Sequence, residues 1–293
     1  MAADPDVSVV IAAGTNATVP AALPPCAKAR LTLLVTRADT EELNVVNTTT
    51  ALVLRAIQTV GPPAVLRYLN RGVEPARAVV VHDLATEVES LPMVRITTVY
   101  DKLCSETAVE EEVAADEDFT KAARRIAARP RDAVLFAGVS PDRAAACARA
   151  LRNAGHRGAR VAGEHVLGAP FLAVGEDWRI GTGYTDASAD SRTKAFAAAF
   201  RACHERAPGP WAAEAYDAVR FAAHGLASVG DSGRSALRSE LLRRPWQGIT
   251  RLMSFDAASQ YFGVENDSGG FLFRVTGGAA RFVTRADDIG KKT

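Results

Sequence analysis

Residues Val7–Ala22, VSVVIAAGTNATVPAA, carry the pattern on which the reading of the fold turns. The apolar run of Val7, Val9, Val10 and Ile11 reads as a buried strand, too short to be a helix. It breaks at Gly14, passes Thr15, Asn16 and Ala17, and resumes as an Ala-rich helix near Thr18. A strand, a polar turn and a helix start form a βα corner. The N–H groups of the helix start and the side chains of Thr15, Asn16 and Thr18 make such a corner a ready anion site. The same residues also read as an ordinary connection whose Thr and Asn cap the helix.

Working outward, the chain of 293 residues has material for one or two domains. A 48% apolar and 24% charged composition is that of an ordinary globular chain. The net charge of +1 gives no electrostatic case for nucleic acid or a membrane surface. No window approaches the roughly 18 uncharged apolar residues of a membrane span. The opening MAADPDVSVV lacks the basic and apolar regions of a signal peptide. Cys26, Cys104, Cys147 and Cys203 have no CxxC spacing, and the five histidines form no local pair, so no metal or cofactor is expected. Cys147 and Cys203 read as small core residues.

Further strands are expected at Leu31–Thr36, Ala51–Ile57, Val79–Val81 running into His82-Asp83, Ala108–Val113, Ala133–Ala137, Ala159–Gly163 and Arg179–Tyr184. Helices are expected at Ala64–Arg71 behind Pro62-Pro63, from a Ser90 cap to about Leu103, at Phe119–Ala128 behind Asp118, and from Pro141 to Ala154. This alternation, with near-continuous apolar strands, is the pattern of parallel sheets covered on both faces. Three helices then follow without strands: Ala189–Arg206, Trp211–Ser228 and Ser235–Arg243. In the second, Tyr216, Val219, Ala223 and Leu226 line up as the apolar face, which places Tyr216 in the core. A strand at Arg251–Phe255 and a hairpin around Gly277-Gly278 close the chain. A βα half, a helical excursion and a terminal hairpin fit an α/β chain of two lobes with chain crossings.

The order of these pieces resembles the type I periplasmic binding proteins, in the branch of ABC-transporter solute receptors for leucine, isoleucine and valine. The residues that carry the resemblance are collinear over the whole chain. They are DPDVSVVIAAGTNATVPAA (Asp4–Ala22), ARAVVVHD (Ala76–Asp83), DFTKAARRI (Asp118–Ile126), DAVLFAG (Asp132–Gly138), ALRNAG (Ala150–Gly155), KAFAAAFRA (Lys194–Ala202), AEAYDAVRFAAHGL (Ala213–Leu226) and GITRLMSFDAASQ (Gly248–Gln260). The resemblance implies a two-lobed fold of parallel sheets flanked by helices. Lobe one would be residues 1–58 and 186–270, lobe two residues 59–185 and 271–293, with the hinge at crossings near Ile57, Tyr184 and Gly270. In that family two βα units precede the strand that begins here at Val7. Lobe one is therefore expected to be incomplete at its start and to expose a contiguous apolar sheet face.

The resemblance also implies a site. The ligand carboxylate would sit on the turn Gly14–Thr18, with Thr15 as the hydroxyl donor and Gly14 and Asn16 beside it. A second clamp would come from Arg37-Ala38-Asp39, where Asp39 replaces the family's hydroxyl residue and Arg37 or Thr40 offsets it. Glu164 would pair with the ligand ammonium. Two aromatic wall positions fall on Glu87 and near Val139-Ser140, which makes the pocket more acidic and less aromatic than in the relatives. The implied protein is an extracytoplasmic solute-binding component that hands a small amino-acid-like, amide or amine ligand to an ABC-transporter permease. A ligand-sensing domain and a non-binding scaffold are the other roles of such a fold. Gly230-Asp231-Ser232-Gly233 and Asp267-Ser268-Gly269-Gly270 look like serine-protease fragments but lack a placed histidine and read as turns. No nucleophile–base set points to an enzyme.

Overall fold

The computed structural model describes residues 4, 6–15, 18–38, 50–55, 63–86, 94, 108–230, 232–255 and 269–291. The chain forms two compact units, Met1–Ile57 with Gly183–Gly269, and Gln58–Thr182 with Gly270–Thr293.

The first unit holds a parallel sheet in the order β1 (Val9–Ala12), β2 (Thr32–Val35), β3 (Ala51–Val53). Strand alternation sends successive side chains to opposite faces. Val9, Ile11, Leu34, Leu52 and Leu54 meet Ala218, Phe221 and Ala222 of α7 (Ala212–Val229) and Leu237 and Leu241 of α8 (Arg234–Arg243). Val10, Ala12, Leu33, Val35, Ala51 and Val53 meet Val19, Cys26 and Leu31 on the other side. Both faces are thus packed, and the open apolar face expected of a shortened lobe is absent among the described residues. The β1 residues, at the edge of the sheet, are only half-buried.

The corner after β1 differs from the expected long helix. A four-residue 3-10 turn, Val19–Ala22, leads into α1 (Leu23–Lys28). Pro20, Pro24 and Pro25 explain this: each lacks the N–H that a continuous α-ladder needs. The helix expected from Ala189 begins only at Lys194, as α6 (Lys194–His204), because Asp186 and Asp190 draw the preceding N–H groups into turns. A short antiparallel pair, β9 (Trp246–Gln247) and β10 (Leu252–Met253), completes this unit.

The second unit carries a seven-stranded sheet. Its parallel part runs β5 (Val109–Val113), β4 (Ala78–Asp83), β6 (Ala133–Ala137), β7 (Arg160–Gly163), β8 (Arg179–Thr182). The hairpin of β11 (Phe271–Thr276) and β12 (Ala279–Arg285) adds antiparallel to β8. One sheet face packs Val80, Leu135 and Val161 against Val65 of α2 (Pro63–Arg67) and Leu69. Helix α2 continues into a π-helical turn, Tyr68–Val73, that stops at Glu74 with φ 49°. On the other face, α3 (Thr120–Ala127) and α4 (Pro141–Asn153) bury Ala122, Ile126, Ala145 and Leu151. The Phe119 ring meets Phe136 of β6 edge-on at 6.0 Å. A one-turn helix, α5 (Ala169–Leu172), had no signal in the apolar pattern.

Two side-chain expectations are overturned. Tyr216 is exposed rather than in the core, and Cys203 is exposed while Cys26 and Cys147 are buried. No described helix is long and apolar enough to cross a membrane. The helix expected between Ser90 and Leu103, apart from Val94, lies outside the described residues, as do Cys104, Asp231 and Asp267-Ser268.

Candidate ligand-binding site

Ligands of open α/β sheets bind beyond the carboxyl ends of parallel strands. In the first unit those ends are Ala12, Val35 and Val53. Thr36 ties β2 to β1 there, its N–H donating to the Ala12 carbonyl at 3.1 Å and its hydroxyl to the same oxygen at 3.4 Å. Gly14 and Thr15 follow β1. The Thr15 N–H donates to Thr18 Oγ1 at 2.9 Å, and the Thr18 and Val19 N–H groups both donate to the Thr15 carbonyl at 3.0 Å. Among the described residues, the N–H groups of Thr15, Thr18 and Val19 are therefore used within the turn itself. The group it presents outward is the exposed Thr15 hydroxyl, 3.4 Å from Thr18 Oγ1. A Cβ at position 14 would lie 2.5 Å from Thr18 Oγ1, so this closure requires glycine.

Arg37, exposed at the end of β2, accepts at its carbonyl from Arg55 Nη1 at 2.9 Å. Arg55 is 1% exposed, its guanidinium 4.8 Å from the centre of the Trp211 ring. The carboxyl edge of this sheet therefore carries two arginines and a threonine hydroxyl. Arg55 was missed, although one charge inside the apolar run Ala51–Ile57 is itself a signal.

Beneath Arg55 lies a buried polar network. Arg251 donates from Nη2 to the Gly183 carbonyl at 2.6 Å and from Nη1 to the Leu54 carbonyl at 3.3 Å, and reaches Glu214 Oε1 at 3.5 Å. Glu214 also accepts from the Thr185 N–H at 3.0 Å. Burial pushes the Glu214 carboxyl up to about 6, against the opposing pull of Arg251. Asp217, one helical turn on, accepts from the N–H groups of Ile249 and Thr250 at 3.0 and 2.8 Å and from the Thr250 hydroxyl. The sequence showed this helix only as packing.

In the second unit the carboxyl ends of β4, β6 and β7 are followed by Leu84–Thr86, Gly138–Ser140 and Glu164–Val166. Ser140 caps α4, its Oγ accepting from the Arg143 N–H at 3.3 Å. Glu164 is half-buried at the start of its 3-10 turn. Asp83 is fully buried. Its Oδ1 accepts from Arg143 Nε at 3.0 Å and Nη2 at 2.7 Å, and from the Ala85 N–H at 3.2 Å. Arg143 also donates to the carbonyls of Ala114, Ala115 and Glu117 and lies over the Phe119 ring. This clamp fixes the loop after β5 to the ends of β4 and β6. Its members are 60 residues apart, a separation at which no local pattern exists.

Of the residues singled out in the sequence, Gly14, Thr15 and Arg37 gather at the carboxyl edge of the first unit's sheet, and Ser140 and Glu164 at that of the second. Asn16, Asp39, Thr40 and Glu87 lie outside the described residues.

No curated protein matches this sequence. Among solved structures, an ABC transporter substrate-binding protein from Desulfitobacterium hafniense superposes with a TM-score of 0.79 at 18% identity, covering 96% of this chain and 82% of that one. A putative branched-chain amino acid ABC transporter protein from Rhodospirillum rubrum gives 0.75 at 18%, covering 96% and 81%. The branched-chain amino acid substrate-binding protein LivJ from Streptococcus pneumoniae, in complex with isoleucine, gives 0.66 at 19%, covering 94% and 79%. At these identities the likeness establishes the fold. The model of the family described as periplasmic binding protein matches residues 2–278. That span takes in both units, and the chain belongs to the periplasmic binding protein family.

Proposed function

We propose that the chain is the solute-binding component of an ABC-type importer, outside the cytoplasm, and passes an amino-acid-like ligand to a membrane permease. The observation that carries this reading is the placement of the described candidates at the carboxyl ends of parallel strands in both sheets. The first unit offers the Thr15 hydroxyl with Arg37, a combination that suits a carboxylate. The second offers Glu164, which suits an ammonium. Gly14 lets the Thr15 turn close, and Asn16, Asp39, Thr40, Glu87 and Ser140 are assigned to the rest of the lining. With Glu87 and Ser140 in place of aromatic walls, the favoured ligands are small, polar and cationic at one end. Capture proceeds by hinge bending at the chain crossings.

Solved relatives with leucine or isoleucine bound define the starting set of ligands. A calorimetric panel of amino acids, their amides and short amines is expected to give one ligand bound per chain. With that ligand, Glu164→Gln is expected to weaken binding by about 30-fold or more, since removing the partner of a desolvated charge costs about 2 kcal/mol or more. Unchanged affinity would exclude Glu164 as the ammonium partner. Silence across the panel would remove the importer reading.

A further inference from the structure

His82, near the end of β4, lies beside two glutamates of the edge strand β5. The strands run parallel with Val80 opposite Glu110 and His82 opposite Glu112. Alternation puts Glu110 and Glu112 on one face of β5 and Glu111 on the other. Glu111 has its cation: Arg125 donates to it from Nη2 at 2.6 Å and Nε at 2.9 Å. Glu110 and Glu112 have none from a lysine or arginine among the described residues. Instead they converge on His82, one ligand-capable atom from each of the three lying within 4.8 Å of the others.

His82 is 3% exposed and follows the apolar run Ala78–Val81 of its strand. Its Nδ1 is 2.9 Å from Glu110 Oε1, while Nε2 is buried with no hydrogen-bond partner. An unsatisfied buried ring nitrogen is costly, and so are two carboxylates brought together without a counter-charge. A single divalent cation supplies the counter-charge to the two carboxylates and takes one imidazole nitrogen as a ligand.

We propose that His82, Glu110 and Glu112 form a binding site for a divalent transition-metal ion of the zinc class. One imidazole and two carboxylates suit borderline ions such as Zn²⁺ and Co²⁺, with water in the remaining position, and suit Mg²⁺ poorly. Bonds of about 2.1 Å in a tetrahedral shell bring ligand atoms to roughly 3.4 Å of one another. The contraction from 4.8 Å falls to the side chains of Glu110 and Glu112, both on exposed residues of an edge strand. None of the metal site's three residues is assigned to the amino-acid site, and the chain needs no metal for the function proposed above. Neither the histidines nor the glutamates show a metal-ligand spacing in the sequence, since 28 residues separate His82 from Glu110.

Calorimetric titration of the tag-free full chain with ZnCl2 and, separately, MgCl2 tests the assignment. One Zn²⁺ per chain and no heat with Mg²⁺ are expected. The double variant Glu110→Gln with Glu112→Gln, at exposed positions, is expected to keep its circular dichroism spectrum and metal-free unfolding midpoint while losing at least 10-fold in zinc affinity. Because His82 is buried, the glutamate pair and not a histidine variant carries the test. Co²⁺ supplies a second readout, a visible absorption band present in the parent chain and absent from the variant. No stoichiometric zinc binding, or equal affinity in the double variant, would overturn the proposal.

Discussion

Glu214 is 4% exposed on α7, and its carboxyl titrates near 6 rather than its ordinary 4.5 because burial disfavours the anion more than Arg251 favours it. A carboxyl whose folded value lies above its unfolded one contributes stability that is complete below pH 4.5. That contribution falls as pH rises and is gone above about pH 6, a loss of about 2 kcal/mol. Glu214→Gln keeps an acceptor for the Thr185 N–H and cannot ionise. Urea unfolding from pH 4 to 7.5 is therefore expected to show the wild type losing about 2 kcal/mol relative to the variant across that interval. A difference independent of pH would mean that Glu214 does not titrate there. At this scale the sequence was informative only where chemistry and local pattern coincide. Thr15 stood out because it follows an apolar strand at a helix start, and Glu164 through the family resemblance. Asp83, Arg55 and Glu214 did not, because their partners Arg143, Trp211 and Arg251 are distant in the chain.

Helix α7 shows how an element can be placed correctly and its face misread. Its limits, Ala212–Val229, lie within a residue of the expected Trp211–Ser228. The stripe Tyr216, Val219 and Leu226 is nevertheless exposed, and Asp217, Ala218, Phe221, Ala222 and Gly225 face inward. Apolar periodicity pointed to the wrong face because the inward one includes two acids, Glu214 and Asp217, whose partners lie elsewhere in the chain. Gly225 is needed on that face, since a Cβ there would lie 2.5 Å from Leu241 Cδ2. Two substitutions discriminate the faces. Phe221→Ala is expected to lower the unfolding free energy by about 3–5 kcal/mol, whereas Val219→Ala, 55% exposed, should change it by less than about 0.5 kcal/mol. Comparable losses for both would restore the face read from the sequence. The corner after β1 is a second case at this scale. The strand was legible from its apolar run, but Pro20, Pro24 and Pro25 convert the following helix into short pieces.

Across the whole molecule, both units are discontinuous in sequence. The last 24 residues, Gly270–Thr293, belong to the second unit although the 87 residues before them belong to the first. Strand β11 sits between β8 and β12 and buries Phe271, Leu272, Phe273 and Val275. Ending the chain at Gly270 would remove these four side chains, worth roughly 6–12 kcal/mol at about 1.5–3 kcal/mol each. That is comparable to the roughly 5–15 kcal/mol of an entire domain. The shortened chain is expected to lose the cooperative thermal transition of the second unit, and a retained transition would show that β11 and β12 are dispensable. By itself the sequence determined the α/β class, the parallel strand pattern, the terminal hairpin and the family, because apolar runs, breakers and collinear motifs are local or ordered along the chain. Only the tertiary structure decided which face of α7 is buried, how the Thr15 turn uses its own N–H groups, and that His82 meets Glu110 and Glu112. Those outcomes depend on contacts between residues tens of positions apart, or on the competition of one polar group for several partners, and neither leaves a periodic trace in the order of residues.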